Sequence, residues 1–452
     1  MVLLLCGDIF LLYAALYSAL LFRYSPSREW ALFREHFFSF SVIYAFWIIF
    51  LSAFGLYDLR LMKNGKIFLY RLLQAMAAGF MLAVSVFYLF PFGIEPRRNL
   101  FIITLLATFF IVIWRYLFNL VIPRAPSSRV IFFGAGKETR DLADYLLLHP
   151  QLGHKPVAFV VNGETENETP ASIPYYTLLQ KDFRHIARDM RPDIVVIARE
   201  MKTKRDVVKA LLAIIPLGIS VAEFPAFHEM ITGKIPLSLI EEVWFLENLI
   251  GIKKHSYEFA KRIIDVAVAI VMAIPALLTF PFIALAIKID SPGPVFFRQK
   301  RVGMHGKEFE LIKYRSMVKD AEDIGGFKEN GGENDIDPRQ TRVGVILRKN
   351  YIDEIPQILN ILKGEMSFVG PRPERPSYIE ELKQKIPFYE MRLLVPPGIT
   401  GWAQINMEDD ASVEDAPEKM QYDLYYTKNR SFVLDLLIML KTIFTLFQRE
   451  GR

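Results

Sequence analysis

Four apolar runs, Val2–Phe22, Phe37–Tyr57, Leu69–Pro91 and Leu100–Ile122, fill the start of the chain. Each is about 20 residues long, enough for a helix to cross a hydrocarbon core of about 30 Å. The pattern predicts four transmembrane helices within residues 1–122. The first run lacks a basic leader and is too long for a secretory signal. Asp8 lies inside it, and an acid at that depth is either a hydrogen-bond partner within the bundle or a functional group.

After the proline-punctuated stretch Pro123–Ser128 the period changes. Val130–Phe133, Val157–Val161 and Ile194–Ala198 read as buried strands. Amphipathic helices follow Gly136 as far as Leu148, around Asp182–Met190 and along Arg205–Ile215. Strands alternating with helices predict a parallel, doubly wound sheet, a half-Rossmann, CoA-binding-like domain over 123–250. Gly134-Ala135-Gly136 stands at the first strand-to-helix turn, where a helix N-terminus can seat a phosphate. The third glycine of a dinucleotide fingerprint is missing, because Lys137-Glu138-Thr139 follows. A tight turn without ligand and a nucleotide turn are both open.

A fifth apolar run, Ile263–Ile287, is again long enough to span. Lys261 and Arg262 precede it, while Lys288, Arg298, Lys300 and Arg301 follow. Basic flanks at both ends disfavour opposite sides of a membrane. Pro275 and Pro281 each remove a backbone donor. The expectation is a re-entrant helix-break-helix over 251–290 that enters and leaves by one face. Near the end of the chain, Phe432–Phe447 is apolar but interrupted by Asp435 and Lys441, which suits a helix lying in the interface.

Composition sharpens this picture. The 452 residues are 52% hydrophobic and 23% charged, too apolar for an ordinary soluble enzyme and too charged to be embedded throughout. A balance of 54 Lys+Arg against 49 Asp+Glu excludes a nucleic-acid binder driven by bulk charge. The single cysteine, Cys6, excludes a disulfide framework and a thiolate metal cluster. Arg60, Lys63, Lys66 and Arg71 in the second connection, with Arg124 and Arg129 after the fourth span, place those loops in the cytoplasm by a slight margin. An even number of spans then returns everything after Pro123 to the side where the chain began.

The polar block between the fifth run and the C-terminal helix holds the candidate chemistry. Arg298, Arg301, Lys313, Arg315 and Arg372 are cations set among glycines and prolines. Pro371 and Pro373 stiffen the loop around Arg372, and a held guanidinium grips phosphate bidentately. Asp353-Glu354 opens the helical pattern Ile355–Leu362, with Pro356 in its first turn and Gly364 beyond its end. An ionised aspartate there can attack phosphorus, and its neighbour can hold a divalent cation. Tyr257 and Lys261 have the Tyr-x-x-x-Lys spacing of short-chain dehydrogenases. Without a full glycine fingerprint upstream, they carry no catalytic assignment.

These motifs, in order, resemble a known family. They are Ser291-Pro-Gly-Pro294, Val295–Gly303, Lys313-Tyr-Arg-Ser-Met317, Asp353-Glu354 with Gln357, Leu362–Pro373 and Pro397–Asn406. Together they are similar to the bacterial monotopic polyprenyl-phosphate phosphoglycosyl transferases, over about the last 190 residues. With four spans and a half-Rossmann domain ahead, the chain resembles the large form that initiates exopolysaccharide or O-antigen synthesis. The fold implied is a four-helix transmembrane bundle, a Rossmann-like α/β middle domain and an α/β monotopic catalytic domain over 291–452. Its C-terminal helices would lie in the interface.

The resemblance implies that Asp353 attacks a UDP-sugar, expelling UMP and forming an aspartyl phosphosugar. Glu354 would bind Mg²⁺. Undecaprenyl phosphate would then take the sugar phosphate. Arg372 would contact the nucleotide or its phosphates, with Arg298, Arg301, Lys313 and Arg315 on the phosphate side. Asp423 matches a family acid of less certain role. The chain departs from the family at Tyr351-Ile352, where Ser-Leu is common ahead of the acidic pair. The expected setting is the bacterial inner membrane, with the catalytic domain on the cytoplasmic face and a homodimer as the assembly. Two rivals are a membrane-bound nucleotide-sugar dehydratase or epimerase, and a non-catalytic scaffold of a polysaccharide assembly complex. The first needs a second glycine fingerprint after residue 250, and the acidic pair argues against the second.

Overall fold

The computed structural model describes residues 2–23, 29–57, 65–89, 97–121, 127–161, 173–178, 183–202, 204–240, 242–249, 255–318, 321, 339–407 and 415–449. The chain divides into two compact units, Met1–Thr232 and Gly233–Arg452.

The first unit begins with four long helices, α1 (Val2–Arg23), α2 (Glu29–Ala53), α3 (Lys66–Leu89) and α4 (Arg97–Val121). Each helix packs on the next and α4 returns to α1, closing a ring of four. Close approach is bought by glycine at two places: Trp114 lies over Gly7 and Trp47 over Gly79, where a Cβ would meet the indole. Asp8 meets an unforeseen partner, Arg115 of α4. The fully buried guanidinium donates to Asp8 Oδ2 at 2.5 Å and to the Leu56 carbonyl at 2.8 Å. Such a pair is costly to break, because either member alone would be an uncompensated buried charge. Arg60, Lys63 and Arg124, which carried part of the orientation argument, lie outside the described residues.

The α/β part of this unit contains β1 (Ser128–Phe133), α5 (Lys137–Leu148), β2 (His154–Val161), β3 (Tyr175–Thr177), α6 (Phe183–Met190) and β4 (Ile194–Ile197). It continues through α7 (Arg199–Lys202), α8 (Arg205–Ile214), β5 (Ser220–Glu223) and α9 (Phe224–Thr232). The five strands are parallel, in the order β3-β2-β1-β4-β5. Central strands read as continuous apolar runs because helices cover both faces. Gly134 has φ +110°, and a Cβ there would collide with Ala198 at the end of β4. The fold therefore requires this glycine whether or not a nucleotide visits the turn.

The second unit starts earlier than the sequence boundary at 250. Ile235, Ile240 and Phe245, the last on α10 (Glu242–Leu249), pack with Leu382, Met420 and Leu424. Trp402 Nε1 donates to the Gly233 carbonyl at 3.0 Å. Apolar anchors spaced along a short stretch gave no periodic signal, so only burial reveals their partners.

Next comes α11 (His255–Asp290), one unbroken helix running through Pro275 and Pro281. This corrects the expected helix-break-helix. Each proline frees a single carbonyl four residues back, those of Val271 and Leu277, a small loss within a helix of 36 residues. One stripe of α11, with Ala269, Ala273 and Ala276 followed by Phe280, Ile283 and Ile287, lies against the rest of the unit. The opposite face is apolar and exposed, as at Leu277 (73%) and Phe282 (76%). Both ends are tied down. Arg262 donates to the Ile361 and Leu362 carbonyls at 2.5 and 2.9 Å, and Asp290 accepts from the Val343 amide at 2.8 Å.

The remainder is a set of helices around two small sheets. An antiparallel hairpin joins β6 (Phe296–Val302) to β7 (Glu308–Tyr314). Then follow α12 (Arg342–Lys349), a 3₁₀ turn (Ile352–Gln357), α13 (Ile358–Lys363) and β8 (Ser367–Val369). After α14 (Pro376–Lys385), β9 (Gly398–Thr400) pairs with β8 in parallel. The chain closes with α15 (Trp402–Asn406), α16 (Ala416–Asn429) and α17 (Phe432–Arg449).

Candidate active site

The acidic pair sits on the 3₁₀ turn between α12 and α13. Tyr351, just before it, takes a left-handed conformation, φ +55°. This is uncommon for a bulky residue. Gly364 ends α13 at φ +86°. Between these ends Asn360 docks the helix on the edge of β7. Its Oδ1 accepts from the Ile312 amide at 3.1 Å, and its Nδ2 donates to the Glu310 carbonyl at 2.7 Å. The amide side chain thus completes a strand edge and brings Lys313 of β7 to the acidic pair.

The two carboxylates are placed in opposite environments. Glu354 Oε1 accepts from Lys313 Nζ at 2.6 Å and from Arg372 at 3.2 Å. Burial alone would raise its pKa, but Arg372 and Lys313 outweigh burial and hold it at about 2. Among the described residues Asp353 forms no ion pair, and it is 7% exposed. Burial pushes its pKa up to about 6, with Lys313 opposing and Glu354 adding to the rise. Neighbouring acids driven apart in this way are suited to different tasks. Glu354 is a fixed anion, and Asp353 is a desolvated, unusually basic carboxylate that is still ionised at neutral pH.

Arg372 is presented by a loop built on close backbone contact. Gly370 N donates to the Thr400 carbonyl and Gly398 N to the Pro371 carbonyl, both at 2.9 Å. A Cβ on Gly370 would collide with the backbone around Pro396–Gly398. Arg392, fully buried, donates to the Arg372 carbonyl at 2.9 Å. It is held in turn by Asp423, at 2.9 Å from Nε and 2.8 Å from Nη2. Burial would lower the Arg392 pKa; Asp423 outweighs this and pushes it up. Asp423 therefore lies beneath the loop, supporting it through Arg392.

The predicted cations separate into two groups. Lys313, Arg301 and Arg372 converge: Arg301 donates to the Pro373 carbonyl at 2.9 Å and stands 3.8 Å from Glu374. Its pKa is lowered by burial and by the nearby charges of Arg372 and Arg375. Arg298 and Arg315 are not brought to this cluster. Arg298 is exposed and pairs with Glu310 across the hairpin at 3.3 Å. Arg315 is buried and clamps the chain leaving α11, donating to Ser291 and Pro292 carbonyls at 2.7 and 2.9 Å. Strand alternation separates Arg301 from Arg298, since residues of odd number on β6, Gln299 and Arg301, share a face with Lys313; Arg315, just past the end of β7, is drawn off by the Ser291 and Pro292 carbonyls.

Sequence reasoning missed Asn360, Arg392, Glu374 and Lys419, the last two paired at 2.8 Å. Their partners are distant in the chain, so no local pattern marks them. Tyr257 and Lys261 both donate to Asp435 Oδ2, at 2.7 and 2.8 Å, which accounts for their spacing without dehydrogenase chemistry.

A family model described as bacterial sugar transferase matches residues 256–449. A UDP-N-acetylgalactosamine-undecaprenyl-phosphate N-acetylgalactosaminephosphotransferase of Aeromonas hydrophila is 40% identical over 243 residues, 51% of this chain and 54% of the relative. The UDP-glucose:undecaprenyl-phosphate glucose-1-phosphate transferase of Escherichia coli K12 is 40% identical over 195 residues, 42% of this chain and 41% of that protein. This chain thus spans about half the length of these two relatives. A shorter protein, the uncharacterized sugar transferase EpsL of Bacillus subtilis, is 38% identical over 191 residues, 42% of this chain and 89% of that protein. The matched region holds the acidic pair, the Arg372 loop and the carboxylate beneath it, so the site and the similarity coincide, and the chain belongs to the bacterial sugar transferase family.

Proposed function

We propose that this chain transfers a sugar 1-phosphate from a UDP-sugar to undecaprenyl phosphate, the first membrane step of exopolysaccharide or O-antigen synthesis. The supporting observation is the pair of adjacent acids with opposed pKa shifts, one buried and, among the described residues, without an ion pair, the other gripped by Lys313 and Arg372. Asp353 attacks the sugar-bearing phosphorus of the UDP-sugar. Its bond to oxygen forms as the bond to UMP breaks, and UMP leaves with the electron pair. A phosphate oxygen of undecaprenyl phosphate then attacks the same phosphorus, and Asp353 departs as a free carboxylate. Lys313, Arg301 and Arg372 supply the positive field in which the diphosphate is bound and charge builds on the leaving group.

Glu354 suits one divalent cation. It is anionic throughout the physiological range, and Mg²⁺ is commonly held by one or two carboxylates together with substrate phosphates. Among the described residues there is no cluster of three metal-ligating side chains, so no all-protein cage competes with that arrangement. When bound, Mg²⁺ would neutralise diphosphate charge.

The membrane reading follows from α11. A folded unit fastened to both ends of the helix and along one stripe supports placing those ends on the same side of a bilayer. The exposed apolar face would dip into one leaflet, and UDP-sugar would be met on the cytoplasmic side of the inner membrane. The homodimer expected from the sequence belongs to the same reading.

The decisive test is rapid quench of the full chain with UDP-sugars labelled at the sugar-linked phosphate. Wild type should carry label on protein in the absence of undecaprenyl phosphate and release it when the lipid is added. Asp353→Asn should show neither. Turnover by Asp353→Asn would overturn the assignment of the nucleophile.

A further inference from the structure

The helix α17 grips both strands that carry the Arg372 loop. Its first-turn Asp435 is buried, and Asp435 Oδ1 lies 2.9 Å from the Tyr426 hydroxyl of α16. That hydroxyl is also 3.1 Å from the carbonyl of Val369, the last residue of β8. Its single proton is shared between a carboxylate and the backbone at the foot of the loop. Two turns further along the same face of α17, Thr442 Oγ1 meets Thr400 Oγ1 of β9 at 2.6 Å. The Thr400 carbonyl, in turn, receives the Gly370 amide. Ile438, between these two attachments, is fully buried, whereas Val433 and Leu436 on the other side are exposed.

We propose that Tyr426 and Thr442 are positioning residues for substrate binding. They fasten an amphipathic helix, whose outer face suits a lipid surface, to the two strands that present Arg372. Neither side chain touches the acidic pair; each acts through backbone only two or three residues from Arg372. The loop between is stiff, since Pro371 and Pro373 flank the arginine and Gly370 is packed against the opposite strand. A small displacement of β8 or β9 is therefore passed to the guanidinium instead of being absorbed. The consequence falls on capture of the UDP-sugar, because Arg372 faces Glu354, where the diphosphate would be bound; polyprenyl phosphate would be taken up at a later step. This inference rests on the transferase reading.

The test uses Tyr426→Phe, Thr442→Val and the double variant in the full-length chain, reconstituted in lipid nanodiscs. Hydrogen exchange of the 369–372 segment should accelerate by about tenfold in the double variant, with the rest of the second unit unchanged. The KM for UDP-sugar should rise by about fivefold, while kcat and the KM for undecaprenyl phosphate stay within about twofold of wild type. Unchanged exchange in that segment would overturn the proposal, as would faster exchange without a KM rise. Changes in all kinetic constants with exchange raised throughout the unit would show a merely structural role and would also overturn it. If the double variant does not fold, the single variants, each deleting one polar group, carry the same comparison at reduced amplitude. A wild-type protein inert toward every UDP-sugar would overturn the transferase reading and the KM consequence with it, while the exchange result would still decide whether Tyr426 and Thr442 hold the 369–372 segment.

Discussion

Replacing Asp353 by Asn should stabilise the protein while silencing it. The carboxyl is buried on the 3₁₀ turn, and its pKa is raised from 3.8 to about 6. At about 1.36 kcal/mol per unit, a shift of this size corresponds to about 3 kcal/mol of folding free energy lost to keeping the ionised acid in place. Because the folded-state value lies above the unfolded one, the loss depends on pH in a defined sense. Below pH 4 both states hold the proton and Asp353 costs nothing. Between pH 4 and 6 the unfolded chain gives up its proton first, so stability falls across that window, and above pH 6 the full cost is present. Asparagine has nearly the same shape and no charge, so its advantage should be near zero at pH 4 and complete by pH 7.5. Relaxation of the turn will reduce the figure, leaving about 1–3 kcal/mol, or roughly 3–10 °C in the unfolding midpoint of a domain this size. Thermal unfolding of both proteins in the same detergent, at matched scan rates and at pH 4.5, 6.0 and 7.5, measures it. An Asn variant less stable at pH 7.5, or a difference that does not change with pH, would refute the claim that desolvation of Asp353 governs its titration.

Three further expectations follow from the same geometry. The acid limb of kcat/KM should have an apparent pKa near 6, since Asp353 must be ionised to attack and Glu354, held at about 2, does not titrate there; a flat profile down to pH 4.5 would count against Asp353 as the nucleophile. Chelation by EDTA should abolish transfer and Mg²⁺ should restore it, while full activity in chelator would remove Glu354 from cation binding. Single cysteines at Ser256 and Ser316, introduced in a Cys6→Ser background, should both be shielded from an impermeant thiol reagent in intact spheroplasts and both labelled after lysis; opposite labelling would mean that α11 crosses the membrane.

Much of this protein was legible in the chain itself, and the reasons are local. The four apolar runs became α1 to α4 because length and composition decide insertion into lipid. The strand-helix alternation became a parallel sheet because buried strands and amphipathic helices have different periods. The acidic pair, Gly364 and the Gly-Pro-Arg-Pro loop were visible because caps, turns and stiff loops are written in adjacent residues. Gly134 was visible as a turn, and the fold supplied the reason, its positive φ and the approach of Ala198.

Tertiary structure decided the rest. It alone determined which cations meet the acids: hairpin pairing put Arg301 on one face with Lys313, left Arg298 in solvent with Glu310, and buried Arg315 against the chain leaving α11. It turned two prolines that read as a break into parts of one continuous helix, because packing along a whole stripe holds a helix that two missing hydrogen bonds would weaken. It paired Asp8 with Arg115 and Asp423 with Arg392, across 107 and 31 residues. Above all it set the acids apart. Asp353 and Glu354 are neighbours in sequence with similar intrinsic chemistry, and the difference between a pKa of about 6 and one of about 2 comes from which of them the fold joins directly to Lys313 and Arg372 and which it buries with desolvation outweighing the more distant charge of Lys313.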